Sequence, residues 1–539
     1  MKNESGVSIP VHLAESGRLR EARAAFTGLL GESISAADRA QTLNNLAAVE
    51  VALGDEATAL RLLNEAATIA PNSRSVQHNI AFLRACGTTA SQSRQVALAS
   101  ETNSPESSNG RSQATRIAIV SMLFNWPSTG GGTVHTKELA QSLANAGYEV
   151  RHFYAVHNEW GVGQVPEPVP YPAEALVFAA HEWESDQIRH RFRIAVESFD
   201  PDYVIITDSW NTKPLLAEAV SEFPYFIRIA ALESLCPLNN VRLLVDHQGL
   251  VRQCDQNQLA NPSGCRDCVD FNGRLSGGLH QAERVLAGFG EDSYAERLRS
   301  AFANAEGVLV VNPEIGELVK PFSKGVHVIP SGFDRQRFPA EFEPPPSLAN
   351  RKNRILFAGL VHEFMKGFHV LQEAGADLWR ERQDFEIWAT ADPIGQMNEF
   401  TRYVGWQSQE SLPRLISECD ALVFPTIAQE ALGRTAVEAM ACGRPVVASR
   451  IGGLSWVVEE GVTGLLCEPG NASDLAAKGR QLLDDADLRQ RLGRAGRQKF
   501  EREFTWEVVL EQYARIFGLP LHLRSERVGA NPRSSPISS

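Results

Sequence analysis

Between residues 115 and 518, short apolar runs alternate with amphipathic stretches. The runs RIAIVSML (116–123), YEVRHFYA (148–155), YVIIT (203–207) and GVLVVN (307–312) have the length of buried strands. Segments between them, such as TVHTKELAQSLANAG, carry apolar residues at helical spacing. A second series follows the proline-rich FEPPPSL (342–348): RILFAGL, FEIWAT, ALVFP and PVVAS, again with helical patterns between. Such alternation predicts parallel sheets joined by right-handed crossovers, and two series predict two sheets. Two doubly wound Rossmann-like domains face each other across a cleft at the carboxyl ends of their strands, which is where ligand chemistry is expected.

The first 86 residues follow a different rule. In AQTLNNLAAVEVALGDEATALRLLNEAATIAP (40–71), Leu43, Leu46, Gly54, Ala59, Leu63, Ala66 and Pro71 stand at the offsets of a 34-residue helix-turn-helix unit. Asn45 and Leu46 recur as Asn79 and Ile80, and GRLREARAAF from Gly17 echoes GDEATALRLL from Gly54. The segment resembles a tetratricopeptide repeat with partial copies on both sides; a plain helical hairpin is the alternative. Residues 87–114 are rich in Ser, Thr, Asn and Gln and too poor in large apolar side chains to offset the entropy of ordering, so a disordered linker is expected. The same reasoning makes 519–539 a disordered tail. The expected organisation is therefore helical repeats over 1–86, the linker 87–114, an N-terminal Rossmann-like acceptor domain over 115–335, an interdomain linker over 336–350, and a donor-binding Rossmann-like domain with a closing C-terminal helix over 351–518.

Composition narrows the function. With 539 residues the chain exceeds one hydrophobic core. A formal charge of −13 opposes nucleic acid or an anionic membrane as the main partner, because phosphate binding draws on clustered Lys and Arg. No window offers about 18 uninterrupted apolar residues, and the first thirty residues lack the order of a secretory signal, so a cytoplasmic protein without a transmembrane segment is expected. Four of the eight cysteines, Cys236, Cys254, Cys265 and Cys268, fall within 33 residues. Cys265 and Cys268 form a C-x-x-C knuckle, and the set suffices for a tetrahedral structural zinc; reduced unligated thiols and a disulfide are the alternatives. Cys86, Cys419, Cys442 and Cys467 sit in apolar surroundings and read as small core residues.

The stretch QEALGRTAVEAMACGRPVVAS (429–449) sets two acids, Glu430 and Glu438, eight positions apart around the start of an Ala-rich helix. Thr435 with Glu438 three residues on has capping-box spacing, a purely structural role, and Gly443 before Arg444-Pro445 is a helix stop. No cap accounts for Glu430. It precedes a helix N-terminus where Ala431 and Gly433 leave backbone N–H groups open to an anion such as a diphosphate, while a carboxylate beside them suits hydroxyl groups. Together these features fit a nucleotide sugar. NWPSTGGGTVH (125–135) places Gly130, Gly131 and Gly132 between a strand and a helix, where a backbone can approach a diphosphate or acceptor closely. His135 lies in that helix's first turn, facing either the cleft or solvent.

In PTIAQEALGRTAVEAMACGRPVVAS, the two acids resemble the signature of retaining GT-B glycosyltransferases of family 4. GGGTVHTKELAQSLANAGYEV, HVIPSGFDRQRF, RILFAGLVHEFMKGFHVLQEA, YVGWQSQESLPRLISECDALVFP and IGGLSWVVEEGVTGLLCEPG follow that family in order and spacing across roughly 115–517. The resemblance implies a GT-B fold and a hexosyltransferase that retains anomeric configuration and needs no catalytic metal. It implies that Glu438 holds the ribose, that Glu430 holds the transferred sugar and that Lys366 meets the diphosphate, with Gly131, Gly132, Gly433, Arg434 and Thr435 around the donor. His135 and Glu233 are the candidates on the acceptor side. Three departures stand out: Val361 replaces an arginine usual five residues before the lysine, Trp456 stands where a glutamate often does, and RIAALESLCPLNNVRLL (228–244) lacks a His-Asp pair. Concave repeats suit an extended protein or peptide acceptor, or another protein partner. A glycan or lipid-linked acceptor, and a non-catalytic adaptor that binds nucleotide, are the other readings.

Overall fold

The computed structural model describes residues 19–31, 36–53, 55–71, 76, 114–128, 130–245, 251–273, 276, 278–338, 351–393 and 398–518. Most of the expected linker, most of the interdomain segment, the tail, and Gly17, Gly54, Asn79, Ile80 and Cys86 lie outside these residues. Two compact units result, divided between Arg111 and Ser112.

In the first unit, the helices Leu19–Leu30, Ala36–Ala52 and Glu56–Ile69 pack in sequence order. Leu43, Leu46, Ala59, Leu63 and Ala66 are all buried at their contacts, so the small alanines let the second and third helices approach closely. Asp55 caps the third helix by accepting from Thr58 N.

The second unit holds two parallel sheets. The first has the order β3-β2-β1-β4-β5-β8-β9, with β1 Arg116–Ser121, β2 Glu149–Val156, β3 Ala173–Val177, β4 Tyr203–Thr207, β5 Tyr225–Ile229, β8 Gly307–Val310 and β9 Val326–Val328. An antiparallel hairpin, β6 Leu243–Val245 with β7 Val251–Gln253, projects from the connection between β5 and β8. The second sheet runs β12-β11-β10-β13-β14-β15, with β10 Asn353–Phe357, β11 Phe385–Ala389, β12 Thr401–Tyr403, β13 Ala421–Phe424, β14 Val446–Ser449 and β15 Gly464–Cys467. Each sheet buries both faces under helices, which explains the continuous apolar runs.

Strand order reverses between β1 and β4 in one sheet and between β10 and β13 in the other. Crossovers leave to opposite faces at such points and open a crevice at the carboxyl ends. The loops after these four strands carry the glycine run, Asp208, Lys366 and Glu430 respectively. The C-terminal helix Trp506–Phe517, expected with the donor lobe, packs its apolar face on the first sheet instead. Trp506, Val509, Leu510, Tyr513 and Phe517 join Ile117, Leu139 and Leu143 in one core.

Candidate functional site

In the second lobe, two loops are stitched together before they present their side chains. Thr426 Oγ1 and Ile427 N both donate to Met365 O, each at 2.9 Å. Gly367 makes this possible: its φ is +72°, and a Cβ there would stand 1.9 Å from Pro425 O. The result brings Lys366 Nζ to 3.2 Å from Glu430 Oε2. The Glu430 carboxylate is the main reason that the Lys366 ammonium titrates above its ordinary value. The glycines of Ile451-Gly452-Gly453 let the Glu430 loop cross tightly, with Gly453 N donating to Glu430 O at 2.7 Å.

The helix after Glu430 spans Arg434–Ala441, with Gly433 in the left-handed region as its N-cap. Thr435 is thus inside the first turn, and the expected capping box with Glu438 is not formed; the backbone turn at Gly433 starts the helix two residues earlier. Glu438 is buried, and that burial raises its carboxyl above the ordinary range despite the opposing charges of Arg434 and Arg337. Gly443 ends the segment with φ +65°, as its position predicts.

The first lobe meets this surface through its glycine loop. The helix Gly131–Asn145 has Gly130 as N-cap with no side-chain cap, so its first amides face the cleft uncapped. A Cβ on Gly131 would lie 3.3 Å from Arg434 Cδ, and one on Gly132 would lie 3.2 Å from Ala230 Cβ. Close approach is what the glycines permit, between the lobes at Gly131 and within the first lobe at Gly132. Arg434 Nη2 donates to Glu138 Oε2 at 3.0 Å, and its guanidinium lies 4.4 Å from the centre of the Phe333 ring. Arg337 stands 3.7 Å from Glu138 and 3.6 Å from Glu438. Glu138, Arg434, Arg337 and Glu438 thus form a charge chain across the lobes, with Arg434 Nη1 buried and lacking a hydrogen-bond partner among the described residues. Beside it lies a cavity of 450 Å3 lined by Lys137, Glu138, Arg337, Gln409, Glu410 and Trp506, among others. Asn312 Nδ2 to Ala431 O at 2.5 Å and Gln253 Nε2 to Ile427 O at 2.6 Å also join the lobes.

Two acceptor-side candidates occupy other surroundings than the sequence suggests. His135 is 1% exposed and stacks on Trp506 at 5.8 Å, so it faces neither open cleft nor solvent. Burial, with the nearby charges of Arg228 and Arg434, holds it neutral, and neither ring nitrogen has a hydrogen-bond partner among the described residues. Glu233 accepts from Ala230 N and Ala231 N at 2.9 and 2.6 Å and lies 3.6 Å from the buried Lys213 ammonium. It serves as a turn brace and counter-ion. Asp208, missed in the sequence, is closer to the glycine loop. It has φ +42°, receives Thr133 Oγ1 at 3.4 Å, and is pushed up to about 6 by burial. Its position directly after the apolar run YVIIT, at a strand's carboxyl end, is the signal that marks it.

Val361 packs on the apolar core of the second lobe and supplies no charge. Trp456 lies edge-on to Phe504, and its carbonyl accepts from Lys499 Nζ at 2.8 Å. Cys419, Cys442 and Cys467 are buried in the core. Cys236, Cys254, Cys265 and Cys268 line one cavity of 290 Å3. No disulfide joins them, and among the described residues no group of three or more His, Cys, Asp or Glu could hold a metal ion, so the four thiols line the cavity without forming the tetrahedral set expected from their spacing.

The comparisons with known proteins meet this geometry at the second lobe. Residues 396–499 match the family described as Glycosyl transferases group 1. Glycogen synthase of Mycobacterium tuberculosis is 32% identical over 218 residues, covering 38% of this chain and 51% of that protein. D-inositol 3-phosphate glycosyltransferase of an Arthrobacter species is 31% identical over 226 residues, covering 37% and 53%. The chain thus spans about half the length of the curated relatives it matches. Among solved structures, sucrose-phosphate synthase from Thermosynechococcus elongatus superposes with a TM-score of 0.54 at 19% identity, over 75% of this chain and 98% of that one. Anabaena HepE in complex with UDP gives 0.51 at 16%, over 75% and 99%. The fold of the second unit is therefore that of GT-B glycosyltransferases. Among the described residues no helix is long and apolar enough to cross a membrane.

Proposed function

We propose that the chain transfers a hexose-type sugar from a nucleotide diphosphate sugar to an acceptor, with retention of anomeric configuration. One observation carries the reading: Lys366 and Glu430 pair at 3.2 Å on the two loops that leave β10 and β13, the strands at which the order of the second sheet reverses. In this reading Lys366 leaves Glu430 for the diphosphate, whose negative charge grows as the glycosidic bond breaks. The uncapped amides of the helices Gly131–Asn145 and Arg434–Ala441 face the same charge, as does the unpartnered Nη1 of Arg434. Glu430 accepts from hydroxyls of the sugar, and Glu438 from those of the ribose. The acceptor oxygen bonds to the anomeric carbon as the phosphate oxygen departs from the same face, and that oxygen takes the acceptor's proton. Glu430 is no nucleophile in this reading, since a double displacement would need a second carboxyl group about 5 Å away across the sugar. UDP in the HepE complex and the sugar transfers named for the relatives agree with such a donor. No catalytic metal enters the scheme.

A protein or peptide acceptor or partner rests on the likeness of the first helices to a tetratricopeptide repeat in sequence, and a glycan or lipid-linked acceptor on the family resemblance. A purified-protein thermal-shift panel of UDP- and GDP-sugars, followed by donor hydrolysis, tests the proposal. A raised melting temperature and hydrolysis that Glu430→Ala abolishes are expected. Absence of binding by every donor overturns it. Val361 in the place of a cation favours a second reading, a nucleotide-binding adaptor, for which donor would bind without turnover.

A further inference from the structure

We infer, resting on the nucleotide-sugar reading above, that Glu138 is a positioning residue: it competes with the donor's diphosphate for the Arg434 guanidinium and so ties donor binding to the first lobe. Arg434 opens the helix Arg434–Ala441, and its stem lies against Gly131, where the uncapped helix Gly131–Asn145 begins. The stem thus sits between the two helix starts assigned to the diphosphate. Its guanidinium instead reaches along the first-lobe helix, where Nη2 donates to Glu138 Oε2 at 3.0 Å. Carboxylate and phosphate offer a guanidinium the same sign of charge and the same paired oxygens, so one can replace the other. Glu138 engages only part of the group, because Nη1 is buried and has no hydrogen-bond partner among the described residues.

The origin of the four charges decides what this exchange does. Arg337 Nη2 donates to Gln409 O at 2.8 Å, and its neighbour Phe338 packs in the core of the second lobe. Arg434 and Glu438 share one helix of that lobe. Of the four, Glu138 alone comes from the first lobe. With Glu138 in place, two arginines and two ionised carboxylates cancel; with it withdrawn, the other three groups carry one net positive charge. Lys366 also faces a carboxylate, but Glu430 belongs to the same lobe as the lysine. At Arg434, by contrast, the diphosphate must take a cation from the opposite lobe.

The exchange also reaches Glu438. Burial raises its carboxyl, Arg434 and Arg337 oppose the rise, and the Glu138 carboxylate adds to it. Withdrawal of Glu138 therefore favours the ionised Glu438 that accepts from ribose hydroxyls. After sugar transfer Glu138 retakes the guanidinium, which helps the nucleoside diphosphate to leave.

Wild-type, Glu138→Gln and Glu507→Gln chains are compared by calorimetric titration with UDP and GDP. Glu507, exposed on the wall of the same cavity, controls for a general change of charge. Glu138→Gln is expected to tighten the nucleoside diphosphate about two- to tenfold, and Glu507→Gln to leave it within about twofold. In an Arg434→Gln background the Glu138 change is expected to lose its effect, since it acts through the guanidinium. In donor turnover, KM is expected to fall for Glu138→Gln while kcat does not rise; loss of a group that merely holds the lobes together would raise KM instead. Should Glu138→Gln fail to fold, Glu138→Asp, whose shorter side chain draws back from the guanidinium, is expected to tighten binding in the same direction. Unchanged or weaker nucleotide binding by the Glu138 variant, or equal tightening by the Glu507 variant, overturns the inference and leaves the donor reading standing. A wild-type chain that binds no nucleoside diphosphate and no donor overturns both.

Discussion

Replacing Lys366 with alanine separates catalysis from folding. Its ion pair with Glu430 is open to water on both sides, the side chains being 27% and 22% exposed. A pair so screened contributes about 0.2–1 kcal/mol to stability. Loss of the lysine leaves Glu430 able to take water in its place, so the folded state is expected to weaken by less than about 1 kcal/mol. Against that stands the reaction. A fixed cation aimed at the departing diphosphate acts where charge develops, and removal of one such preorganised group costs about 10²–10³ in turnover, or about 3–4 kcal/mol of barrier. The assay is donor turnover for wild-type and Lys366→Ala protein, alongside denaturant unfolding of both. Turnover within about threefold of wild type, a barrier change below about 1 kcal/mol, refutes the assignment. So does a stability loss above about 3 kcal/mol, because the lysine would then be a structural group.

Three further outcomes are expected. Asp208 has its folded-state pKa raised from 3.8 to about 6, so the folded state binds the extra proton and wild-type stability falls as pH rises from about 4 to 6; Asp208→Asn is expected to remove this fall, by at most about 3 kcal/mol in urea melts across that range, and an unchanged pH profile contradicts the buried carboxyl. His135→Phe replaces a ring with two unpartnered nitrogens on Trp506; unfolding free energy is expected to hold or rise by about 1 kcal/mol with activity retained, and lost turnover in a stable variant would assign the imidazole a reaction role. Gly453→Ala puts a Cβ 2.0 Å from Ala431 O; displacement of the Glu430 loop is expected to cost about 1–3 kcal/mol in thermal melts and most donor affinity, whereas a neutral result means the loop is not held by this contact.

Legibility follows the physics of each element. Strands β1, β4, β10, β13 and β14 stand out because uninterrupted apolar runs are what a sheet covered on both faces requires. β3 hides because it is an edge strand with alternating exposure, and β5 because the buried Arg228 interrupts its run, its guanidinium donating to Ile329 O at 2.7 Å. β9 and β12 are three residues long, too short to leave a period. In the site, Glu430 and Lys366 are recognisable through a family resemblance, and nothing in local spacing links residues 64 positions apart. Glu138 and Arg337 escape notice for a related reason. Each reads as an ordinary solvated charge on its own segment, and only the docking of one lobe on the other pairs them. Thr435 is misread as a cap because side-chain capping preferences assume a helix entered from extended backbone, and Gly433 enters from the left-handed region.

The return of the helix Trp506–Phe517 to the first sheet means that the polypeptide passes between the lobes twice. The outgoing strand at Phe333 and the incoming one at Phe504–Trp506 lie side by side, with Phe333 N bonded to Phe504 O at 2.8 Å and Trp506 N to Phe333 O at 3.1 Å. Severing either passage alone leaves the halves tethered by the other. A fragment excised at 351–518 would therefore carry away the covering of Ile117, Leu139 and Leu143, and the half left behind would be the one to aggregate.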